Sequence, residues 1–95
     1  MTKRTKEDVV KELAKMLGIV PPPMSTGSTE PKEIFVEVVK VLGLGLNTAQ
    51  TKPELARDIV ESDGLVWGPE CESRGGTVTM TGLERVALVV QRLTA

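Results

Sequence analysis

The chain has 95 residues, a formal net charge of −1, one cysteine and no histidine. At this length a single domain over residues 1–95 is expected, because two hydrophobic cores of ordinary size do not fit in so short a chain. Without histidine, and with Cys71 alone, the chain cannot form a Cys/His zinc site, a Ser-His-Asp triad, a Cys-His dyad or an intrachain disulfide. We therefore expect no catalytic residues, no metal and no cofactor.

The apolar and aromatic residues indicate the cellular environment of the protein and argue against one class of ligand. The longest mostly apolar run is interrupted by Glu37 and Lys40 and is shorter than the roughly 20 residues of a membrane span. The N-terminus lacks the apolar stretch of a signal peptide, so we expect a cytoplasmic protein with a reduced Cys71. Phe35 and Trp67 are the only aromatic residues, which argues against single-strand binding by base stacking.

Apolar spacing predicts two helices in the first half of the chain. The first carries Val9, Leu13 and Leu17 at intervals of four residues and ends at Gly18. The second, over roughly residues 31–42, is apolar on most of its surface, and its β-branched residues leave a strand as the alternative. We predict that this second helix is the central and most buried one.

Two further helices are predicted in the second half. The third begins with a capping box of Thr51 and Glu54 and ends at Gly64. The fourth begins with a second capping box, formed by Thr81 and Glu84. Between these two helices, residues 65–79 are also compatible with a short β-ribbon.

The two halves of the sequence resemble each other when one is shifted along the other by about half the chain length. Residues 5–13 and 51–59 share the pattern Thr-Lys-x-acid-apolar-apolar-base-acid-apolar, and a loop with the pattern Ser-x-Gly-x-Thr follows each copy. We interpret this as an internal repeat of residues 5–46 and 51–94, with convergent capping motifs as the alternative. The predicted fold is mainly α: a compact four-helix domain built from two helix-loop-helix halves with a pseudo-twofold relation.

The two Ser-x-Gly-x-Thr loops are candidate phosphate sites. Glycine allows successive backbone N–H groups to converge on an anion, and the hydroxyls add donors. The same residue types also form ordinary turns and helix caps without any ligand, so the two interpretations stay open. The candidate residues are Ser25, Thr26, Gly27, Ser28 and Thr29 in the first loop, and Ser73, Arg74, Gly75, Gly76 and Thr77 in the second.

Three lysines lie where the helix dipole disfavours a cation. Lys6, Lys32 and Lys52 each fall in the first turn of a predicted helix, at a cost of about 0.3–1 kcal/mol per residue. A phosphate bound at the helix N-terminus would turn each lysine into a favourable contact. Acidic residues beside them offer the alternative that each lysine is simply solvated. Convergence of these lysines and Arg74 on one face would favour phosphate binding.

The segment VKVLGLGLNTAQTKPELARDIVESDG, residues 39–64, carries Gly45-Leu46 and then Thr51-Lys52-Pro53-Glu54-Leu55. It resembles the helix-extended loop-helix arrangement of SAP-type DNA-binding motifs. The resemblance implies that Thr51, Lys52 and Arg57 approach the DNA backbone. More loosely, the two-loop plan is similar to helical accessory domains of bacterial restriction and defence proteins.

Three hypotheses follow for the function. The first is a non-enzymatic module that binds duplex DNA through its phosphate backbone, fused to or associated with a catalytic domain and without contact to a membrane. The second is a protein-interaction or dimerisation module, a homodimer included, because aliphatic residues of the fourth helix remain beyond its inward face. The third is an enzyme that uses only carboxylates and lysines, with Asp63, Glu70 and Glu72 as candidate metal ligands.

Overall fold

The computed structural model describes residues 4–24 and 29–95 and contains four α-helices within those ranges. A single 3-10 turn, Pro69–Cys71, lies between the third helix and the fourth. The mainly α fold of four helices is therefore confirmed. Across the described ranges, no helix combines the length and the apolar character that crossing a membrane requires. The helices are α1 (Lys6–Leu17), α2 (Lys32–Leu42), α3 (Lys52–Ser62) and α4 (Met80–Thr94).

Helices α1 and α3 begin with matching capping boxes. The Thr5 hydroxyl accepts from the backbone N–H of Asp8, and the Asp8 carboxylate accepts from the backbone N–H of Thr5 at 3.0 Å. At α3, the Glu54 carboxylate accepts from both the backbone N–H and the hydroxyl of Thr51. Because these contacts span only three residues, the local sequence determines where both helices start.

The start of α4 differs from the prediction. Its N-cap is Thr79, whose hydroxyl accepts from the backbone N–H of Gly82 and donates to the carbonyl oxygen of Glu70 at 2.6 Å. The predicted box of Thr81 and Glu84 is wrong, because both residues already lie within the helix. Both threonines have the chemistry of a cap, and the contact with the 3-10 turn selects Thr79.

One hydrophobic core joins the four helices. Helix α4 packs against the other three helices and the 3-10 turn. We predicted α2 as the most buried helix, but α4 has more fully covered side chains, and Val41 of α2 is 46 % exposed. The largest core side chains without exposed surface are Phe35, Leu13, Ile34, Leu55, Ile59 and Leu83.

The connection before α4 is a turn held against the helix. Instead of a β-ribbon over residues 65–79, it contains one antiparallel bridge, between Glu72 and Val78. A Cβ at Gly82 would lie 2.9 Å from the Trp67 ring and closer still to the carbonyl oxygen of Cys71. At Gly82 the connection thus approaches the α4 backbone too closely for a side chain to fit without movement.

Candidate nucleic-acid interface

The starts of all four helices meet around one buried carboxylate, that of Glu30. Lys6, the first residue of α1, places its Nζ atom 3.1 Å from Glu30 Oε2. Lys52, the first residue of α3, places its Nζ atom 4.0 Å from Glu30 Oε1. Glu30 itself lies two residues before α2, and its side chain has no exposed surface. We call this group of helix starts the N-terminal end of the molecule.

The two lysines make equivalent contacts across the two halves of the chain. Lys6 donates to the carbonyl oxygen of Val78 at 2.8 Å, and Lys52 donates to the carbonyl oxygen of Glu30 at 3.1 Å. Val78 lies two residues before α4, as Glu30 lies two residues before α2. Each lysine of one half therefore holds the entry to the second helix of the other half. The pseudo-twofold relation of the two halves stays a prediction.

The two halves differ at the residue that follows each loop. Val78 and Glu30 occupy corresponding positions, and both side chains are fully buried. From the described residues, neither carboxylate oxygen of Glu30 accepts a hydrogen bond of good geometry, although Lys6 Nζ lies within 3.1 Å. The buried carboxylate is therefore stabilised by electrostatic attraction. The ammonium groups of Lys6 and Lys52 and the positive ends of the helix dipoles offset the free-energy cost of burying it.

Of the four basic residues whose convergence would favour phosphate binding, the structure brings Lys6 and Lys52 together, and their ammonium groups face Glu30. About a quarter of each of these two side chains is exposed. Their structural role explains why two cations occupy first-turn positions that the helix dipole disfavours. The sequence leaves phosphate binding and simple solvation open for these two lysines. It does not indicate the burial of Glu30, which in sequence is indistinguishable from a solvated acid beside Pro31.

Carboxylates of the capping boxes also lie at the N-terminal end. The backbone N–H of Thr5, together with its hydroxyl, lowers the pKa of Asp8 below its ordinary value. The Thr51 hydroxyl, together with the backbone N–H of Thr51, lowers the pKa of Glu54 in the same way. Thr51, a predicted DNA contact, is thus engaged as a cap, although it remains exposed.

The start of α2 is built differently from the other three. Its N-cap is Pro31, whose side chain has no polar atom to cap the helix, whereas the N-caps of α1, α3 and α4 are threonines. Lys32 follows Pro31, is partly exposed, and makes no ion pair with the described part of the chain. Backbone N–H groups and a cation therefore coincide at this helix start, which is an arrangement suited to an anion.

The first Ser-x-Gly-x-Thr loop precedes this helix. Its residues Ser25, Thr26, Gly27 and Ser28 lie outside the described ranges. Thr29, the last residue of the loop, is partly buried next to Glu30. The predicted anion contacts of this loop therefore stay a prediction.

The second Ser-x-Gly-x-Thr loop is a turn closed by its own residues. The Ser73 hydroxyl lies 2.5 Å from the Thr77 hydroxyl, and the backbone N–H of Ser73 donates to the carbonyl oxygen of Thr77 at 2.9 Å. Gly76, with φ of 75°, donates back to the carbonyl oxygen of Ser73. Arg74 and Gly75 form the exposed tip of the turn. These contacts give three of the loop residues a structural role and leave the tip available.

Arg74 also borders an open groove. The groove has a volume of about 490 Å³ and is lined by Trp67, Gly68, Pro69, Glu72, Ser73 and Arg74. Within the described ranges Arg74 makes no ion pair. The ring N–H of Trp67 donates to the Glu72 carboxylate at 3.3 Å. Arg74 is therefore the cation of this surface that an external anion can reach.

The remaining candidate residues do not join the N-terminal end. Arg57 lies in the middle of α3, exposed, and its guanidinium is 3.9 Å from the Glu61 carboxylate. The acids considered as metal ligands have separate partners: Asp63 pairs with Arg92, and Glu70 pairs with Arg85. Among the residues the structure describes, no group of three potential metal ligands occurs.

Comparison of the chain with protein-family models, with curated proteins and with solved structures finds no match.

Proposed function

We propose that the chain is a non-enzymatic module that binds duplex DNA through its phosphate backbone at the N-terminal end. The observation that carries the proposal is the start of α2, where Lys32 makes no ion pair with the residues that the structure describes and Pro31 supplies no side-chain cap. The backbone N–H groups of the first turn, the positive end of the helix dipole and a cation together favour a phosphate at this position. DNA presents such phosphates at a regular spacing along each strand.

Arg74 supplies the second contact in this proposal. It stands on the exposed tip of the Ser73–Thr77 turn, four residues before Val78, which Lys6 binds at the N-terminal end. A guanidinium can hold a phosphate through two parallel hydrogen bonds, and the closed turn limits the movement of its backbone. Lys32 and Arg74 would thus contact separate stretches of the backbone, one from each half of the chain.

Lys6 and Lys52 have a positioning role in this account. By binding the carbonyl oxygens of Val78 and Glu30, they fix the loops that lead into α4 and α2. Their positive charge adds to the local potential, although Glu30 offsets part of it. Thr51 and Arg57, which the SAP resemblance implies as contacts, would approach DNA only at the edge of this surface.

The resemblances give the proposal a biological setting. A SAP-like helix-extended loop-helix segment suggests a DNA-binding accessory domain in a bacterial protein, of the kind found in restriction and defence systems. In that setting the chain works in the cytoplasm and brings a fused or associated catalytic domain to DNA. The resemblance rests on the sequence of residues 45–55, in which Thr51 and Glu54 lie at the start of α3.

The proposal is tested with two matched double variants. In Lys32→Gln with Arg74→Gln, both proposed contacts are lost; in Lys15→Gln with Lys40→Gln, the same charge is lost from the last turns of α1 and α2. Fluorescence anisotropy with a labelled duplex measures the affinity at several salt concentrations. We expect the first variant to weaken binding and to reduce the salt slope by about 1.8, at 0.9 for each phosphate contact. Equal losses in the two variants would contradict the proposed site.

A second candidate function, protein interaction, is supported by exposed apolar side chains. Val66 is 71 % exposed and Leu88 is 44 % exposed. Arg85, one turn before Leu88 on α4, donates to the carbonyl oxygen of Val66. Sedimentation over a range of concentrations tests the homodimer form. Association that Val66→Ser with Leu88→Ser abolishes would support it, and a monomer at every concentration would exclude it.

A further inference from the structure

Glu30 occupies the place where the two first-turn lysines would otherwise hold an external anion. Its carboxylate lies 3.1 Å from Lys6 Nζ and 4.0 Å from Lys52 Nζ, between the starts of α1 and α3. The corresponding residue of the second half is the apolar Val78. The buried acid is therefore a particular feature of one half, and the scaffold accommodates an apolar residue at the equivalent position.

The contacts of Glu30 have an electrostatic consequence for the surface above it. Lys6 and Lys52 could each neutralise one DNA phosphate. Instead, the charges of both are partly neutralised by one internal carboxylate, that of Glu30. Both lysine side chains remain about a quarter exposed, so a phosphate at the N-terminal end could approach them. A buried charge is screened by solvent far less than an exposed one, so its effect on a bound phosphate persists at moderate salt.

We propose that Glu30 is an internal anion that limits the affinity of the N-terminal end for DNA by engaging Lys6 and Lys52. This inference rests on the proposed function, because it concerns the strength of binding at that same site. Glu30 competes with phosphate for the two ammonium groups, and the module binds DNA more weakly than its cluster of helix starts would allow. Weak binding of this kind lets a module release DNA and lets a fused domain act at successive sites.

The test replaces the charge of Glu30 and keeps its shape. Glu30→Gln leaves both lysine-carbonyl hydrogen bonds in place and removes the competing anion. We expect this variant to bind a labelled duplex about tenfold tighter at 50 mM salt, with a salt slope up to about 1.8 steeper than that of the wild type. In a background that carries Lys6→Gln and Lys52→Gln, the same substitution should bring no gain, because the released ammonium groups are absent.

A matched control separates this effect from net charge. Glu33→Gln changes the charge by the same amount in the first turn of α2, at an exposed residue without a contact to either lysine. The inference requires a larger gain from Glu30→Gln than from Glu33→Gln. Equal gains from both substitutions, or an unchanged slope in Glu30→Gln while the wild type binds, would overturn it. Absence of binding by the wild type and by every variant would instead overturn the proposed function.

A measurement on the wild type covers the outcome in which Glu30→Gln does not fold. Lysine acetylation followed by mass spectrometry compares the rates of modification with and without duplex DNA. We expect slow modification of Lys6 and Lys52 in both states, because their ammonium groups are already bonded, and protection of Lys32 by DNA. Protection of Lys6 and Lys52 by DNA in the wild type would show that Glu30 does not keep their ammonium groups from contacting phosphate, and would contradict the inference.

Discussion

Lys6 Nζ lies 3.1 Å from a carboxylate oxygen of Glu30, a side chain with no exposed surface. The same Nζ donates to the carbonyl oxygen of Val78, 72 residues along the chain. One lysine at the start of α1 therefore ties together the entries to α2 and α4. Stability and the proposed binding site depend on the same group of atoms.

The first prediction concerns the stability of this pair. Lys6→Met leaves the Glu30 charge buried with Lys52 as its remaining cation, and we expect it to lower the free energy of unfolding by about 2–4 kcal/mol. Lys52→Met should cost less, because its Nζ lies 4.0 Å from the carboxylate. Urea denaturation followed by circular dichroism measures both. A larger loss from Lys52→Met would contradict the assignment of Lys6 as the main partner.

The second prediction concerns the close approach at Gly82. A Cβ there would meet the carbonyl oxygen of Cys71 and the Trp67 ring, so Gly82→Ala should lower the free energy of unfolding by about 1–3 kcal/mol. Gly75→Ala is the control, because its Cβ would meet only Ser73 Oγ, at 3.9 Å. Thermal denaturation compares the two variants. Equal midpoints would mean that the connection does not pack on α4 as described.

The third prediction concerns the cap of α4. Thr79→Ala removes the acceptor for the backbone N–H of Gly82 and the donor to the carbonyl oxygen of Glu70. We expect a loss of about 1–2 kcal/mol in the free energy of unfolding. Thr81→Ala should change it by less than about 0.5 kcal/mol, since Thr81 is exposed within the helix. Urea denaturation measures both variants. A larger loss of unfolding free energy from Thr81→Ala than from Thr79→Ala would indicate that Thr81 is the cap.

The fourth prediction concerns acid sensitivity. The pKa values of Asp8 and Glu54 are lowered in the folded chain by their bonds to Thr5 and Thr51. A carboxyl group whose pKa is lowered by folding stabilises the folded state at pH values above its ordinary pKa. This stabilisation is lost as the pH falls through the pKa of the folded state. Stability should therefore decrease below about pH 4.5, and Asp8→Asn with Glu54→Gln should make this decrease smaller. Glu33→Gln, at a residue without a capping bond, should leave the decrease unchanged.

The sequence predicted those parts of the fold that local chemistry determines. The starts of α1 and α3 follow from Thr5 and Thr51, whose capping partners lie three residues away. The start of α4 was missed because Thr79 and Thr81 have the same chemistry, and only the distant contact with Glu70 distinguishes them.

The candidate site was predictable in its location and less so in its contacts. Helical spacing placed Lys6, Lys32 and Lys52 at helix starts, as the structure has them. The burial of Glu30 results from packing four helix starts together, and no pattern within one segment encodes it. The two lysines therefore looked equivalent to Lys32 in the sequence, although their ammonium groups have internal partners.

The most direct test of the central claim is an NMR titration of the chain with a short DNA duplex at about 50 mM salt. We expect the amide signals of residues 29–33 and 73–77 to shift most, and the last turns of α1, α2 and α3 to shift little. Such a result would place DNA at the start of α2, which carries Lys32, and at the turn that carries Arg74. Shifts confined to the surroundings of Val66 and Leu88, or no shifts at millimolar DNA, would contradict the account.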